Sequence, residues 1–181
     1  MSRLPKIIYD ELTDRQKEVY DYLIECDGEV TGEFAIWLQL PELCICIKRT
    51  NAYMQRECGF KPEMLPVLGL VVARKMNCPY MFELYAKRAA KAGISREVID
   101  TINDNGRAIF ADVVDQVLFD MAAVLAEHKL MDDDLFARCK ELLGRDPTTA
   151  ASTLIGQYLM AAMILNAYDY PTEGTEFVLK K

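Results

Sequence analysis

Pro79 divides the apolar middle of this chain into two helices. Upstream, residues 63–76 carry apolar side chains at helical spacing, and Pro66 is tolerated there because it falls in the first turn. Downstream, Pro79 suits the first position of a new helix and disfavours α geometry at Cys78, so Cys78 is predicted at the N-cap of a helix that ends at Gly93. Free backbone N–H groups and the positive end of the helix dipole favour a thiolate there. Met81, Phe82, Tyr85 and Ala89 follow Cys78 at helical spacing and share its face, whereas Tyr80, Glu83 and Lys87 point elsewhere. One face therefore carries a thiol and a phenol.

Helical spacing extends over most of the chain, and no stretch reads as a strand. Thr13 with Gln16 forms a capping box for a helix over residues 14–26 that Gly28 ends. A short turn over 32–38 precedes a helix from Pro41 to about residue 56, stopped by Gly59. Ser95 caps a helix to residue 103; longer helices cover 111–128, 132–143 and 149–166. No fixed-period repeat and no linker rich in Gly, Pro or Ser interrupts the series. The expectation is an all-α fold with residues 1–181 in a single multihelical domain.

The order of several fragments resembles the carboxymuconolactone decarboxylase and alkyl hydroperoxidase D superfamily, in particular its larger decarboxylase-like members. The fragments are Leu4 and Pro5; Glu11 to Thr13; Gln16 to Tyr20; Gly32, Phe34 and Ala35; Pro41 to Leu43; Arg74, Asn77 and Tyr80; residues 89–95; and Gly156, Tyr158, Met160, Ala162, Met163 and residues 165–167, with Pro171 to Gly174. The resemblance implies the alkyl hydroperoxidase D-like fold, a homo-oligomer (a trimer or a multiple of it, or a dimer) and a site on the Pro79 helix. The hydroperoxidase branch uses a Glu, a Cys-x-x-Cys pair and a His. At the matching positions this chain has Pro66, Cys78, Met81 and Tyr85, so only the first Cys survives. Met81 cannot resolve a disulfide, which argues against dithiol peroxidase chemistry. Larger members often place Glu and His at positions 81 and 85, and that acid–base pair is also absent here.

Composition narrows the alternatives. With 181 residues and 51% hydrophobic side chains the chain can bury a substantial core. Its net charge of −7 argues against nucleic acid and against anionic membrane surfaces. The cysteines at 26, 44, 46, 58, 78 and 139 follow neither a disulfide framework nor a zinc pattern, and read as reduced thiols with no metal site. The N-terminal residues show no apolar signal core, so a cytoplasmic protein is expected. Residues 150–168 are apolar enough to span a membrane, but Gln157 and Asn166 would be costly in lipid and the small residues suit a buried helix. No membrane association is expected.

Each candidate has an ordinary alternative: Cys78 as a small buried hydrophobe and Tyr85 as a core aromatic with a satisfied hydroxyl. Arg74 could hold a substrate carboxylate or bond carbonyls at a helix end. Glu83 is expected on the surface, paired with Lys87. His128, the sole histidine, suits a helix C-terminus. Residues 132–134, three aspartates, lack the rest of a calcium loop and suit a helix N-terminus. Cys44 and Cys46 face different ways. Gln157, Tyr158 and Asn166 must find interhelical partners or line a pocket. Two functions follow from the resemblance. The first is a cofactor-independent enzyme acting on a small organic acid or lactone by decarboxylation, isomerisation or lyase-type chemistry, with Cys78 and Tyr85 catalytic and Arg74, Tyr80, Gln157 and Asn166 binding substrate. The second is a non-catalytic scaffold that serves as a binding or oligomeric partner; a thiol-dependent peroxidase is the least favoured reading.

Overall fold

The computed structural model describes residues 3–57 and 59–180; Cys58, read above as a reduced thiol, lies outside them, as do Met1, Ser2 and Lys181. A single 3-10 turn (Tyr9–Glu11) precedes the helices α1 (Asp14–Asp27), α2 (Gly32–Trp37), α3 (Pro41–Glu57), α4 (Met64–Lys75) and α5 (Pro79–Lys91). They continue as α6 (Arg96–Asn103), α7 (Val113–His128), α8 (Asp133–Leu143) and α9 (Arg145–Ala167), and no strand occurs among the described residues.

Helix α4 is the axis of the main core. It is apolar all round, with every residue from Pro66 to Ala73 buried, and a helix of that kind must be enclosed. It packs against α5, α7 and α9, while α1, α2 and α3 form a second, smaller apolar cluster with Val19, Leu23, Trp37, Leu38 and Ala161. Helix α9 has the length and hydropathy of a membrane span, yet Leu154, Ile155, Tyr158, Ala162 and Leu165 are buried within the fold.

Local chemistry explains the boundaries. Thr13 and Gln16 form the capping box, and Gly28 closes α1 in the left-handed conformation. Helix α7 starts at Val113, two residues later than the spacing predicts, because the Asp112 carboxylate accepts from the Val114 and Asp115 N–H groups and so acts as N-cap. Asp132 does the same for α8. Helix α9 starts four residues earlier than predicted, because Pro147 lies within its first turn, where a missing N–H is harmless.

Between α4 and α5 the chain turns on Asn77, at φ 49°. The Asn77 N–H donates to the Arg74 carbonyl (3.2 Å) and the Cys78 N–H to the Ala73 carbonyl (2.9 Å), a Schellman closure of α4. Cys78 then takes extended geometry and caps α5, with Pro79 at the first helical position. The same residue ends one helix and begins the next.

Glu83 departs from its sequence reading. It is buried, 3% exposed, and its carboxylate accepts from the backbone N–H groups of Glu173 (3.0 Å) and Thr175 (2.6 Å). Lys87 pairs with Glu173 instead of Glu83. The reason is the C-terminal segment, which runs over α5 and α6 and brings its amides to the carboxylate. Burial pushes the Glu83 carboxyl up, but the bonds from Thr175, Glu173 and Gly174 outweigh it and hold it below the ordinary range. With a depressed folded value, the stability from this contact is present above the unfolded carboxyl range and lost as acid protonates Glu83. Glu83→Ala is expected to cost about 1–3 kcal/mol and to make the segment from residue 173 onward the first site of limited proteolysis. An unchanged cleavage pattern would show that other contacts hold it.

Candidate functional site

The first turns of α5 distribute its side chains over two environments. Cys78, Met81, Phe82, Ala86 and Ala89 pack into the core. Tyr80, Leu84, Tyr85 and Arg88, spaced at i, i+4, i+5 and i+8, line a cavity of about 560 Å³ between α5 and the N-terminal helices. The predicted grouping of Tyr85 with Cys78 and apart from Tyr80 is therefore corrected. Tyr85 sits at the border of the two faces, and the close approach of α4 to α5 draws the Cys78 stripe inward.

Tyr85 is wedged by its neighbours. A methyl group at Gly69 would lie only 2.5 Å from Tyr85 Cδ1, so the glycine makes room for the ring. The Tyr158 ring meets it edge-on at 5.1 Å, and the Arg88 guanidinium lies 5.4 Å from its centroid. The Tyr158 hydroxyl donates to the Leu65 carbonyl at 3.3 Å. Burial, reinforced by Tyr158 and Glu33, pushes the Tyr85 phenol well above its ordinary value, so it stays protonated. Tyr80 packs at 4.7 Å against Tyr170 and closely over Gly32. Burial raises its phenol too, against an opposing hydrogen bond with Thr31.

Glu33, in the first turn of α2, lines this cavity together with Tyr80, Tyr85 and Arg88. Burial pushes its carboxyl above the ordinary range, and Asp27 adds to the rise, while its own backbone N–H, Arg88 and Lys48 pull it down. Its charge in turn raises Cys78, Tyr80 and Tyr85. Lys48 is committed to Asp27, with both carboxylate oxygens at 2.6 Å, and lies over the Phe34 ring at 5.2 Å. Arg88 has no hydrogen bond or ion pair among the described residues, so its donors are open to an anion entering the cavity. The arrangement combines a carboxyl of raised pKa, two neutral phenols and an open guanidinium.

Neither Glu33 nor Arg88 figures among the sequence-derived candidates. A signal existed for the first, since Glu33 is the one charged residue in α2, whose Ala35, Ile36 and Trp37 are buried. Arg88 was legible as the next residue on the Tyr80, Leu84 and Tyr85 face.

Cys78 is 1% exposed and is not part of the cavity lining. Burial raises its thiol to about 11, the Met81 backbone N–H pulls it down and Glu33 pushes it up. The expected thiolate is thus corrected, because desolvation exceeds what the helix terminus supplies. Iodoacetamide is expected to label the exposed Cys26 and Cys46 in the native protein and Cys78 only after denaturant is added. Fast native labelling of Cys78 below about pH 8 would contradict its enclosure.

The other candidates separate. Arg74 donates Nε to the Asn103 carbonyl at 2.8 Å and lines a different cavity, so it does not join Tyr85. Asn166 is exposed and donates to the Met76 carbonyl at 2.9 Å, an interhelical bond that secures the end of α4. Gln157 does not line the Glu33 cavity either; the turn of α9 points Tyr158 there, and the Gln157 Oε1 is buried without a hydrogen-bond partner. Cys44 is buried and Cys46 exposed, as their spacing requires. His128 is exposed at the end of α7.

No protein-family model matches the sequence, and no curated protein is similar to it in sequence. Solved structures are similar to it in fold. An uncharacterized peroxidase-related protein from Silicibacter sp. TM1040 superposes with a TM-score of 0.77 at 14% identity, covering 96% of this chain and 91% of that one. The alkylhydroperoxidase AhpD core of a peroxidase-related protein from Ralstonia eutropha JMP134 gives 0.77 at 13% identity, covering 96% and 93%. The debrominase Bmp8, in complex with 2,3,4-tribromopyrrole, gives 0.75 at 10% identity, covering 94% and 91%.

Proposed function

We propose that this chain, which has the alkyl hydroperoxidase D-like fold, is a cofactor-independent enzyme that moves a proton on a small organic acid or lactone in the Glu33 cavity. The observation that carries this reading is a cavity of substrate size lined by both the Glu33 carboxyl, raised by burial, and the open Arg88 guanidinium. Arg88 pairs with the substrate carboxylate or the lactone carbonyl. Glu33 takes a proton from the carbon beside that carbonyl, or delivers one to it, the step that decarboxylation, isomerisation and lyase chemistry share. Tyr80 keeps its proton and donates a hydrogen bond to the oxygen on which negative charge develops. Tyr85, fixed by Gly69 and Tyr158, shapes the wall and orients Arg88. Cys78, whose thiol burial and the Glu33 charge both raise, keeps its proton and is not the nucleophile. A neighbour in fold is a debrominase bound to a small ring compound, which supports a cyclic substrate for this cavity as well.

The test is turnover of a panel of small lactones and unsaturated or β-keto acids, followed by NMR in deuterated water to detect exchange at carbon. The wild type is expected to turn over at least one carboxylate, and Arg88→Gln to raise KM for it by about tenfold or more with a smaller effect on kcat. Absence of turnover and of carbon exchange across the panel returns the protein to the second reading, a non-catalytic scaffold.

A further inference from the structure

We propose that a second cavity, at the other end of α4 from Glu33, is a binding site for a small monocarboxylate with an apolar body. Leu65 and Pro66 of α4 face the Glu33 cavity, whereas Val71, Arg74 and Lys75 face this one, so one buried helix separates the two. The second cavity encloses about 510 Å³, within the usual range for small-molecule sites. Val71, Ile102, Phe119, Ala123, Val124 and Leu135 supply its apolar wall.

The charges around that wall are unevenly satisfied. Arg107 closes on Asp120 through Nε at 2.8 Å and Nη2 at 2.7 Å. Lys75 pairs with Glu127 at 2.5 Å. Arg138 reaches Asp120 only at 3.9 Å. Arg74 is partly buried and held by one edge, with Nε on the Asn103 carbonyl at 2.8 Å, and its terminal nitrogens have no partner among the described residues. A guanidinium fixed through Nε presents its two terminal N–H groups as a preset fork, which fits the two oxygens of a carboxylate. Asp132 and Asp134, on the α8 side of the cavity, restrict the negative charge it tolerates. One carboxylate is matched; a dicarboxylate or a phosphate ester meets repulsion. The apolar wall takes the body of the ligand.

Isothermal titration of the full chain with octanoate and with benzoate, and with octan-1-ol as a neutral control, tests the site. Binding of a carboxylate is expected, with affinity lower by roughly tenfold or more in Arg74→Gln and equally reduced when Val124→Trp fills the cavity. Arg88→Gln, in the other cavity, leaves that affinity unchanged. The neutral alcohol binds weaker than octanoate by about the same factor as the Arg74→Gln loss. The site is refuted if neither carboxylate binds, if the alcohol binds as tightly, or if Arg74→Gln leaves the affinity unchanged. Should Arg74→Gln fail to fold, loss of carboxylate binding in Val124→Trp together with its retention in Arg88→Gln decides the matter. Because Arg88→Gln reports on the Glu33 cavity, failure here and failure of the proposed enzymatic role are read separately.

Discussion

Gly69→Ala is expected to lower stability by about 1–3 kcal/mol, the range for overpacking a filled core. The added methyl group would lie 2.5, 2.6 and 2.7 Å from Cδ1, Cε1 and Cγ of Tyr85, well inside van der Waals contact. These atoms run along one edge of the ring from its attachment point, so a small rotation of a flexible end cannot relieve the contact. Tyr158 closes the ring on another side, at 5.1 Å, and Arg88 lies over it. Alanine also favours helix over glycine by roughly 0.5–1 kcal/mol, a gain smaller than the clash. The opposing terms can be separated in a double-mutant cycle. In a Tyr85→Ala background the clash is gone, so Gly69→Ala is expected to change sign and stabilise the protein in urea denaturation. If Gly69→Ala were neutral in the wild-type background, the packing of Tyr85 on α4 would be looser than described. Catalysis offers a second readout, since displacing Tyr85 moves Arg88 and the cavity wall with it.

Glu33→Gln is expected to lower kcat/KM by roughly 10²- to 10⁴-fold, the usual worth of a positioned acid or base, while raising the melting temperature at neutral pH. Both effects come from one cause. Burial first, then Asp27, raises the Glu33 carboxyl despite its backbone N–H, Arg88 and Lys48. A carboxyl whose folded pKa is raised keeps its proton longer in the native state than in the unfolded state. Native-state proton binding then exceeds unfolded-state binding between the two values, so stability falls as pH rises through that window. Glutamine has no proton to lose, so its advantage is absent well below the unfolded carboxyl range and grows above it. The pH dependence of the melting temperature, compared between wild type and variant, measures this directly. A variant less stable than the wild type at neutral pH would show that ionised Glu33 is well paired, and would remove it as a tuned acid or base. A wild-type pH–rate profile with an ionisation above the ordinary carboxyl range, missing in the variant, would assign that ionisation to Glu33.

Sequence alone was enough for the helices and for the Cys78 break. Caps, Pro79 and apolar spacing are local signals that act within one or two turns, and they place α1 to α9 with shifts of a few residues. The largest shift, at α9, reflects a proline in a first turn, which sequence permits but does not require. The ordered fragments also anticipated the fold that the superpositions display.

The site was legible only in part, for a physical reason. Helical spacing says which residues share a face, but not which face meets protein and which meets a cavity. On α5 the packing of α4 decided this, enclosing Cys78 and leaving Tyr80, Tyr85 and Arg88 on the cavity side. Desolvation depends on that enclosure, so a cysteine whose local position favours ionisation became a thiol raised to about 11. Glu83 turned inward because amides some 90 residues away, at Glu173 and Thr175, came to meet it. Glu33 reached Tyr80, Tyr85 and Arg88 because α2 folds back toward α5. Local chemistry thus determined the elements; burial and charge, which depend on segments distant in the chain, decided which of their side chains form the site.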